Sequence, residues 1–275
     1  MIEIGLEEHK KIALDILKAV DCICKKNNIQ YFLAYGTLLG AVRHQGFIPW
    51  DDDIDIQVPR QDYNRFLNIF NEQALSNGYE HLKVVSPYDK GALHTHIKVI
   101  DTRTVKIEKG FDYRKYEPLG IDIDVFPIDG LPDDKKVCDE INKQKLVLYL
   151  KFQRFVIDVQ SRSFKGILYT YYIQMMCRIK NETKQRLVEK ADEISMKYPY
   201  ESANYVGSVC SVYSPAKIRH LRTDYENAID VQFEDGVFKA PSGYDNILRT
   251  IYGDYMQLPP LKEQITHHIN NVYWK

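Results

Sequence analysis

The stretch Gly36-Thr37-Leu38-Leu39-Gly40-Ala41-Val42-Arg43-His44-Gln45-Gly46-Phe47-Ile48-Pro49-Trp50-Asp51-Asp52-Asp53-Ile54-Asp55-Ile56 decides how this chain of 275 residues is read. Four aspartates fall within five positions, and Ile54 and Ile56 alternate with the last two. Successive side chains of an extended strand face opposite ways, so Asp53 and Asp55 share one face while Ile54 and Ile56 turn into a core. Two carboxylates side by side on a strand backed by a core repel each other unless a positive charge sits between them. A divalent cation meets that need and makes the segment a candidate metal–phosphate centre. A calcium loop of the EF-hand type is excluded, because it needs Gly after the third ligand and position 56 is Ile.

A second acidic segment, Gly120-Ile121-Asp122-Ile123-Asp124-Val125-Phe126-Pro127, alternates strictly and puts Asp122 and Asp124 on one face. Two such strands facing each other supply three or four carboxylate oxygens, a hard donor set suited to Mg²⁺ or Mn²⁺ holding substrate phosphates. Of the second pair Asp124 is the favoured ligand, since Val125-Phe126-Pro127 anchors its end of the strand. Gly36 and Thr37 follow a short strand at 31–35 and offer backbone N–H groups and a hydroxyl near a helix start, where an anion is stabilised. Arg43 and His44 follow on a short helix. Arg43 is read either as a bidentate brace for a phosphate or as an ion-pair partner of the aspartates. Lys98, on a strand with His94 and His96, is a further phosphate-contact candidate. His94-Thr95-His96 has no third imidazole or Cys nearby and is not read as a metal site. Trp50 abuts the acidic strand. Its ring face could hold a quaternary ammonium, although packing is the ordinary role of such a residue.

The 37 basic and 38 acidic residues leave a net charge of −1, which argues against a nucleic-acid partner. Cys22, Cys24, Cys138, Cys177 and Cys210 are scattered without a CxxC pair, as expected of reduced thiols. The N-terminus lacks a signal-peptide pattern, and no apolar run approaches a membrane span. The expectation is a cytoplasmic protein, with peripheral contact at the inner face of the membrane left open. Hydrophobic periodicity predicts helices over 6–27, 61–76, 134–157, 164–180, 182–197 and 242–253. Strands are expected over 31–35, 81–86, 94–101, 104–108 and 120–127, with strand-compatible sequence over 203–240. The fold class is α+β: a catalytic core over 1–132, a helical subdomain over 133–202, and a segment over 203–275 that completes the core. The apolar, aromatic and basic residues at 146–152 and 164–180 are read as buried helix packing, with a surface touching membrane or a lipid-linked acceptor as the alternative. His267 and His268 fall in a polar C-terminal tail that reads as a disordered or solvated end, with a reach into the site as the alternative.

The long block from Ala34 to Ile56 resembles the signature of the LicD family of phosphocholine transferases. The resemblance extends to Ile123-Asp124-Val125-Phe126-Pro127-Ile128-Asp129-Gly130, to Lys98 with Thr104, and to Tyr252-Gly253-Asp254-Tyr255-Met256-Gln257-Leu258-Pro259-Pro260. The helical middle of the chain contributes little to it. The resemblance implies a nucleotidyltransferase-like mixed sheet flanked by helices that uses a divalent metal. It also implies transfer of a phospho-alcohol, most typically phosphocholine from CDP-choline, onto a hydroxyl of a bacterial cell-surface glycan such as teichoic acid, capsule or lipopolysaccharide. Fukutin-related proteins, which transfer ribitol phosphate, share the signature. By position, Asp53, Asp55 and Asp124 match the metal-binding carboxylates, and Gly36 and Thr37 match the phosphate-side turn. Asp122 matches no characteristic position. The competing readings are transfer of ribitol or glycerol phosphate from its CDP donor, nucleotidyl transfer from a nucleoside triphosphate, and a non-catalytic binding protein with a degenerate site.

Overall fold

The protein is described by a computed structural model that covers residues 1–159, 163–208, 215–266 and 271–275. After a short strand β1 (Ile2–Glu3), apolar residues at helical spacing form α1 (Leu6–Lys26), whose buried side includes Ile12, Ile16, Ala19, Val20 and Ile23. β2 (Phe32–Leu33) gives way at once to α2 (Tyr35–His44). Tyr35 turns the chain with a left-handed φ of 44°, so the strand expected over 31–35 is cut short and Gly36 lies in the first turn of a helix. β3 (Asp55–Pro59) runs directly into α3 (Arg60–Ser76). β4 (Leu82–Val85), β5 (Ile97–Asp101), β6 (Thr104–Ile107) and β7 (Asp122–Leu131) follow, with His94 and His96 ahead of β5 rather than within it. α4 (Lys135–Val156), α5 (Phe164–Ile179) and α6 (Lys184–Ser195) come next. Asp134, Ser163 and Thr183 cap these three by accepting a first-turn N–H. The chain ends with β8 (Tyr205–Gly207), α7 (Pro215–Ile218), β9 (His220–Leu221), the hairpin β10 (Ala228–Phe233) and β11 (Gly236–Pro241), α8 (Tyr244–Tyr252) and β12 (Asn271–Trp274). Helices and a mixed sheet together make the class α+β.

The main sheet has the order β2-β3-β7-β5-β4, and β8 and β9 extend it from the far half of β7. β3 runs parallel to β7, whereas β5 and β8 run antiparallel to it. Ile54, Ile56, Ile97, Val99, Ile123 and Val125 are fully buried on the face covered by α1 and α3. Burial of each such side chain stabilises the fold by about 1.5–3 kcal/mol. Because the side-chain period of a strand is two, a one-residue slip would drive the aspartates into this core, so the apolar face enforces the register of the acidic one. Arg60 at the start of α3 grips Asp129 on β7 through two hydrogen bonds of 2.6 and 2.7 Å. Asp129 is therefore a buried structural anion.

Two further sequence expectations change. The C-terminal end is not solvated: β12 lies between β1 and β6 in a three-stranded sheet, with Val272 only 3% exposed. Trp274 Nε1 donates to Glu8 and its ring lies under the Arg103 guanidinium. A four-residue strand is too short for its alternation to stand out against a polar surround. His267 and His268 lie outside the described residues. The second change concerns α5, which buries only Thr170 and Cys177, whereas its apolar content suggested core packing. Leu93, Phe152, Val156, Leu187 and Val188 make a small separate cluster that joins α4 and α6. Among the described residues no helix is long and apolar enough to cross a membrane.

Replacing Val272 by Ala should lower unfolding stability by about 1.5–3 kcal/mol in a urea titration, as expected for an apolar side chain sealed between two strands. An unchanged midpoint would mean that the C-terminal strand contributes nothing to the fold.

Candidate active site

Register alone builds the centre of the site. Asp55 on β3 is paired with Asp124 on β7, and Asp124 is paired on its other side with Lys98 on β5. Paired residues on neighbouring strands face the same way, so these three charges form one row across three strands about 4.8 Å apart. The backbone on both sides of Asp55 is fixed. Its N–H donates to the Thr37 hydroxyl at 2.8 Å, its carbonyl accepts from Ala34, and the Asp124 N–H donates to the Ile54 carbonyl.

The cations sit on the β5 side. Lys98 Nζ donates to Asp122 and lies 2.5 Å from Asp124 Oδ1, and His96 Nε2 lies 3.3 Å from that same oxygen. Lys106 takes the other oxygen of Asp122. Asp122 is thus enclosed between two ammonium groups with 1% of its side chain exposed, while Asp124 keeps 21%. This separates two aspartates that alternation alone placed on the same face: Asp122 anchors the lysines, and Asp124 meets the open side. Burial pushes the Asp124 carboxyl up, but Lys98 and then His96 outweigh it and hold the group well below the usual carboxylate range. Burial works against the Lys98 ammonium, yet Asp122 and Asp124 raise it well above its ordinary value. Further along the row, His94 Nε2 lies 3.6 Å from Glu108.

The β3 side is acid-rich. Gly36 leaves room there for Asp51, since a Cβ on it would fall 2.6 Å from Asp51 Oδ2 and displace that carboxylate. Gly40 is required by close approach of backbone, a Cβ there meeting the Gly46 carbonyl oxygen at 2.4 Å. Asp51 lies against the first turn of α2, where a negative charge is favoured, and hydrogen-bonds Asp53. Burial, then the charge of Asp53, pushes the Asp51 carboxyl up to about 8. Burial, followed by Asp53, Asp124 and Asp51, raises Asp55 well above the usual carboxylate range. Asp51 thus belongs to the acidic cluster around Asp53 and Asp55.

Gly36, Thr37, Asp53, Asp55, Asp124 and Lys98 converge. Arg43, His44 and Trp50 gather at the other end of α2, roughly 10 Å along its axis from Gly36 and Thr37. Arg43 donates to the Tyr255 carbonyl at 2.7 Å and to His44 Nε2 at 3.0 Å, so it ties α2 to the segment after α8. The His44 and Trp50 rings meet edge to face at 6.3 Å. Two participants escaped the sequence reading. His96 carried a usable signal, because it lies two residues before Lys98 and shares its face. The approach of Asp51 to Gly36 is a tertiary contact with no local signature. Beside the row, the buried Gln57 bonds Tyr35, Ser208 and Tyr225, which stiffens the floor of the site.

Among the described residues no three His, Cys, Asp or Glu side chains close around a point as a finished metal cage. The donor chemistry still fits a hard divalent cation. Asp51, Asp53 and Asp55 crowd negative charge into a half-buried space, and the elevated Asp55 and Asp51 carboxyls report a deficit of positive charge there.

Residues 28–167 match the family described as LicD/FKTN/FKRP, nucleotidyltransferase domain. Across 99% of its own length and 99% of the relative's, the chain is 30% identical to the lipopolysaccharide cholinephosphotransferase LicD of Haemophilus influenzae. The chain belongs to the LicD family. It is a LicD-type phosphotransferase, and the row Asp55–Asp124–Lys98 lies inside the matched domain. Shorter similarities reach two uncharacterized rickettsial proteins. One, from Rickettsia typhi, is 46% identical over 65 residues, 23% of this chain and 21% of that one. The other, from Rickettsia prowazekii, is 53% identical over 47 residues, 17% of this chain and 18% of that one.

The elevated carboxyl gives this LicD-family site a pH signature. Asp51 binds its proton more tightly folded than unfolded, so its contribution to stability is full below the ordinary value of 3.8 and is lost as pH rises toward about 8. The proton belongs to the whole cluster rather than to one residue. In the presence of a chelator, Asp51→Asn should become progressively more stable than the wild type as pH rises across that window, with no gain in acid. Parallel stability–pH curves for the two proteins would contradict the carboxylate cluster.

Proposed function

We propose that this chain transfers phosphocholine from CDP-choline to a hydroxyl of a bacterial cell-surface glycan, lipopolysaccharide or a related polymer, and releases CMP. The observation that carries this reading is the row Asp55–Asp124–Lys98 beside Asp53, in a chain collinear end to end with a lipopolysaccharide cholinephosphotransferase. We assign Asp53, Asp55 and Asp124 as the residues that would hold Mg²⁺ or Mn²⁺. When bound, the ion supplies positive charge at the donor pyrophosphate.

The acceptor hydroxyl attacks the phosphorus that bears choline. The new O–P bond forms as the bond from that phosphorus to the oxygen bridging it to CMP breaks, and CMP leaves with the bond's electron pair. Such chemistry depends on positioning and on electrostatic stabilisation of the phosphoryl oxygens. The acceptor proton passes to Asp124, the carboxylate of the row that meets the open side. Lys98 is held rigidly by Asp122 and offsets negative charge at the phosphates without swinging away. Thr37 fixes the backbone of Asp55, and Gly36 leaves room for Asp51, so the phosphate-side turn acts by shaping the acidic strand.

Incubation with CDP-choline, Mg²⁺ and lipopolysaccharide should release CMP and put choline phosphate on the glycan. Asp53→Asn or Asp55→Asn should lower the rate by at least about a hundredfold, the scale of losing one electrostatic stabiliser, with an unchanged circular-dichroism spectrum. CDP-ribitol, CDP-glycerol and CTP serve as competing donors. Turnover of CDP-ribitol or CDP-glycerol in place of CDP-choline would replace the alcohol. Pyrophosphate release from CTP would replace the reaction. Full activity in either Asn variant would overturn the site.

A further inference from the structure

α5 presents to solvent the side that a helix of a globular protein normally buries. Phe164, Leu168, Tyr171, Tyr172, Met175 and Ile179 recur at helical spacing along one stripe of it. All six are exposed, from 50% at Met175 to 75% at Phe164. The opposite side holds Thr170 and Cys177, the buried residues of the helix, and is fastened to α4. There Gln174 donates to the Arg154 carbonyl at 2.7 Å, and the Arg154 guanidinium lies over the Tyr169 ring. α4 itself exposes Leu146, Val147 and Leu150. Apolar area arranged in this way marks an interaction surface.

The charge around the stripe selects the partner. No acidic residue falls between Asp158 and Glu182, while Lys165, Arg178 and Lys180 are exposed there. The chain as a whole carries a net charge of −1, so a segment with cations and no acid of its own is locally positive. An apolar stripe that carries tyrosines and is flanked only by cations has the pattern of a helix lying in a membrane interface, where anionic headgroups meet the acyl region.

We propose that α5 seats this protein on an anionic lipid bilayer, with Phe164, Leu168, Tyr172, Met175 and Ile179 at the headgroup–acyl boundary and Lys165, Arg178 and Lys180 at the lipid phosphates. The surface goes beyond the phosphotransfer reading, and a lipid-binding measurement stands or falls separately from it.

Co-sedimentation of the full chain tests the proposal. The vesicles are phosphatidylcholine alone or phosphatidylcholine mixed with an equal part of phosphatidylglycerol, at low and high salt. Binding should be confined to the anionic vesicles and weaken with salt. The double variant Leu168→Asp/Tyr172→Asp should lose at least about tenfold in partitioning with an unchanged urea midpoint. If that variant folds poorly, Lys165→Glu/Arg178→Glu changes charge alone and should show a similar loss. Absence of wild-type binding to anionic vesicles, or equal binding by both variants and the wild type, overturns the proposal. So does a self-associated wild type that becomes monomeric in the first variant without any vesicle binding, because a second copy would then be what covers the stripe.

Discussion

The ammonium of Lys98, held between Asp122 and Asp124, is the interaction on which the site depends. A charged group taken out of water is costly unless its partners are close and well oriented. Here three strands bring the partners together: β5 carries the lysine, β7 both aspartates, and β6 a second lysine on Asp122. Loss of one member of such a buried set typically costs about 3–5 kcal/mol, because the remaining charges are left uncompensated. The same contact divides two neighbouring aspartates into an enclosed anchor and an open-sided one. Among the described residues it also places the lysines on the β5 side of the row, away from the crowded carboxylates at the start of β3.

That asymmetry links fold to chemistry. The apolar face of the sheet fixes the register, the register aligns Asp55, Asp124 and Lys98, and the alignment produces an acidic half-site next to a cationic one. A donor with two linked phosphates and a hard cation offers the complementary charges. The glycines of the signature serve the same end: Gly36 lets Asp51 approach the first turn of α2, and Gly40 lets the chain fold back at Gly46.

Much of this was legible in the sequence. Strict alternation in two acidic segments predicted both central strands and the outward face of Asp55 and Asp124, although β3 begins only at Asp55 and leaves Asp53 ahead of it. The helices at α1, α3, α4 and α6 followed from apolar spacing and stop signals. Charge pairing across strands was not legible: Lys98 read as a phosphate contact, and only the register shows that Asp122 and Asp124 hold it. Arg43 read as a phosphate brace or an aspartate partner, yet its hydrogen bonds go to Tyr255 and His44. β12 escaped because four residues carry too little pattern, and α5 misled because apolar content reports the size of a stripe without reporting which way it faces. In each case the missing information was tertiary.

On the proposed reading, Asp53, Asp55 and Asp124 form one cation-binding, phosphate-directed centre. Titration of Mn²⁺ followed by electron paramagnetic resonance tests it most directly, comparing the wild type with Asp55→Asn at neutral pH. Saturable binding by the wild type, weakened at least about tenfold in the variant, is the predicted result. Equal Mn²⁺ affinity in the two proteins would contradict it.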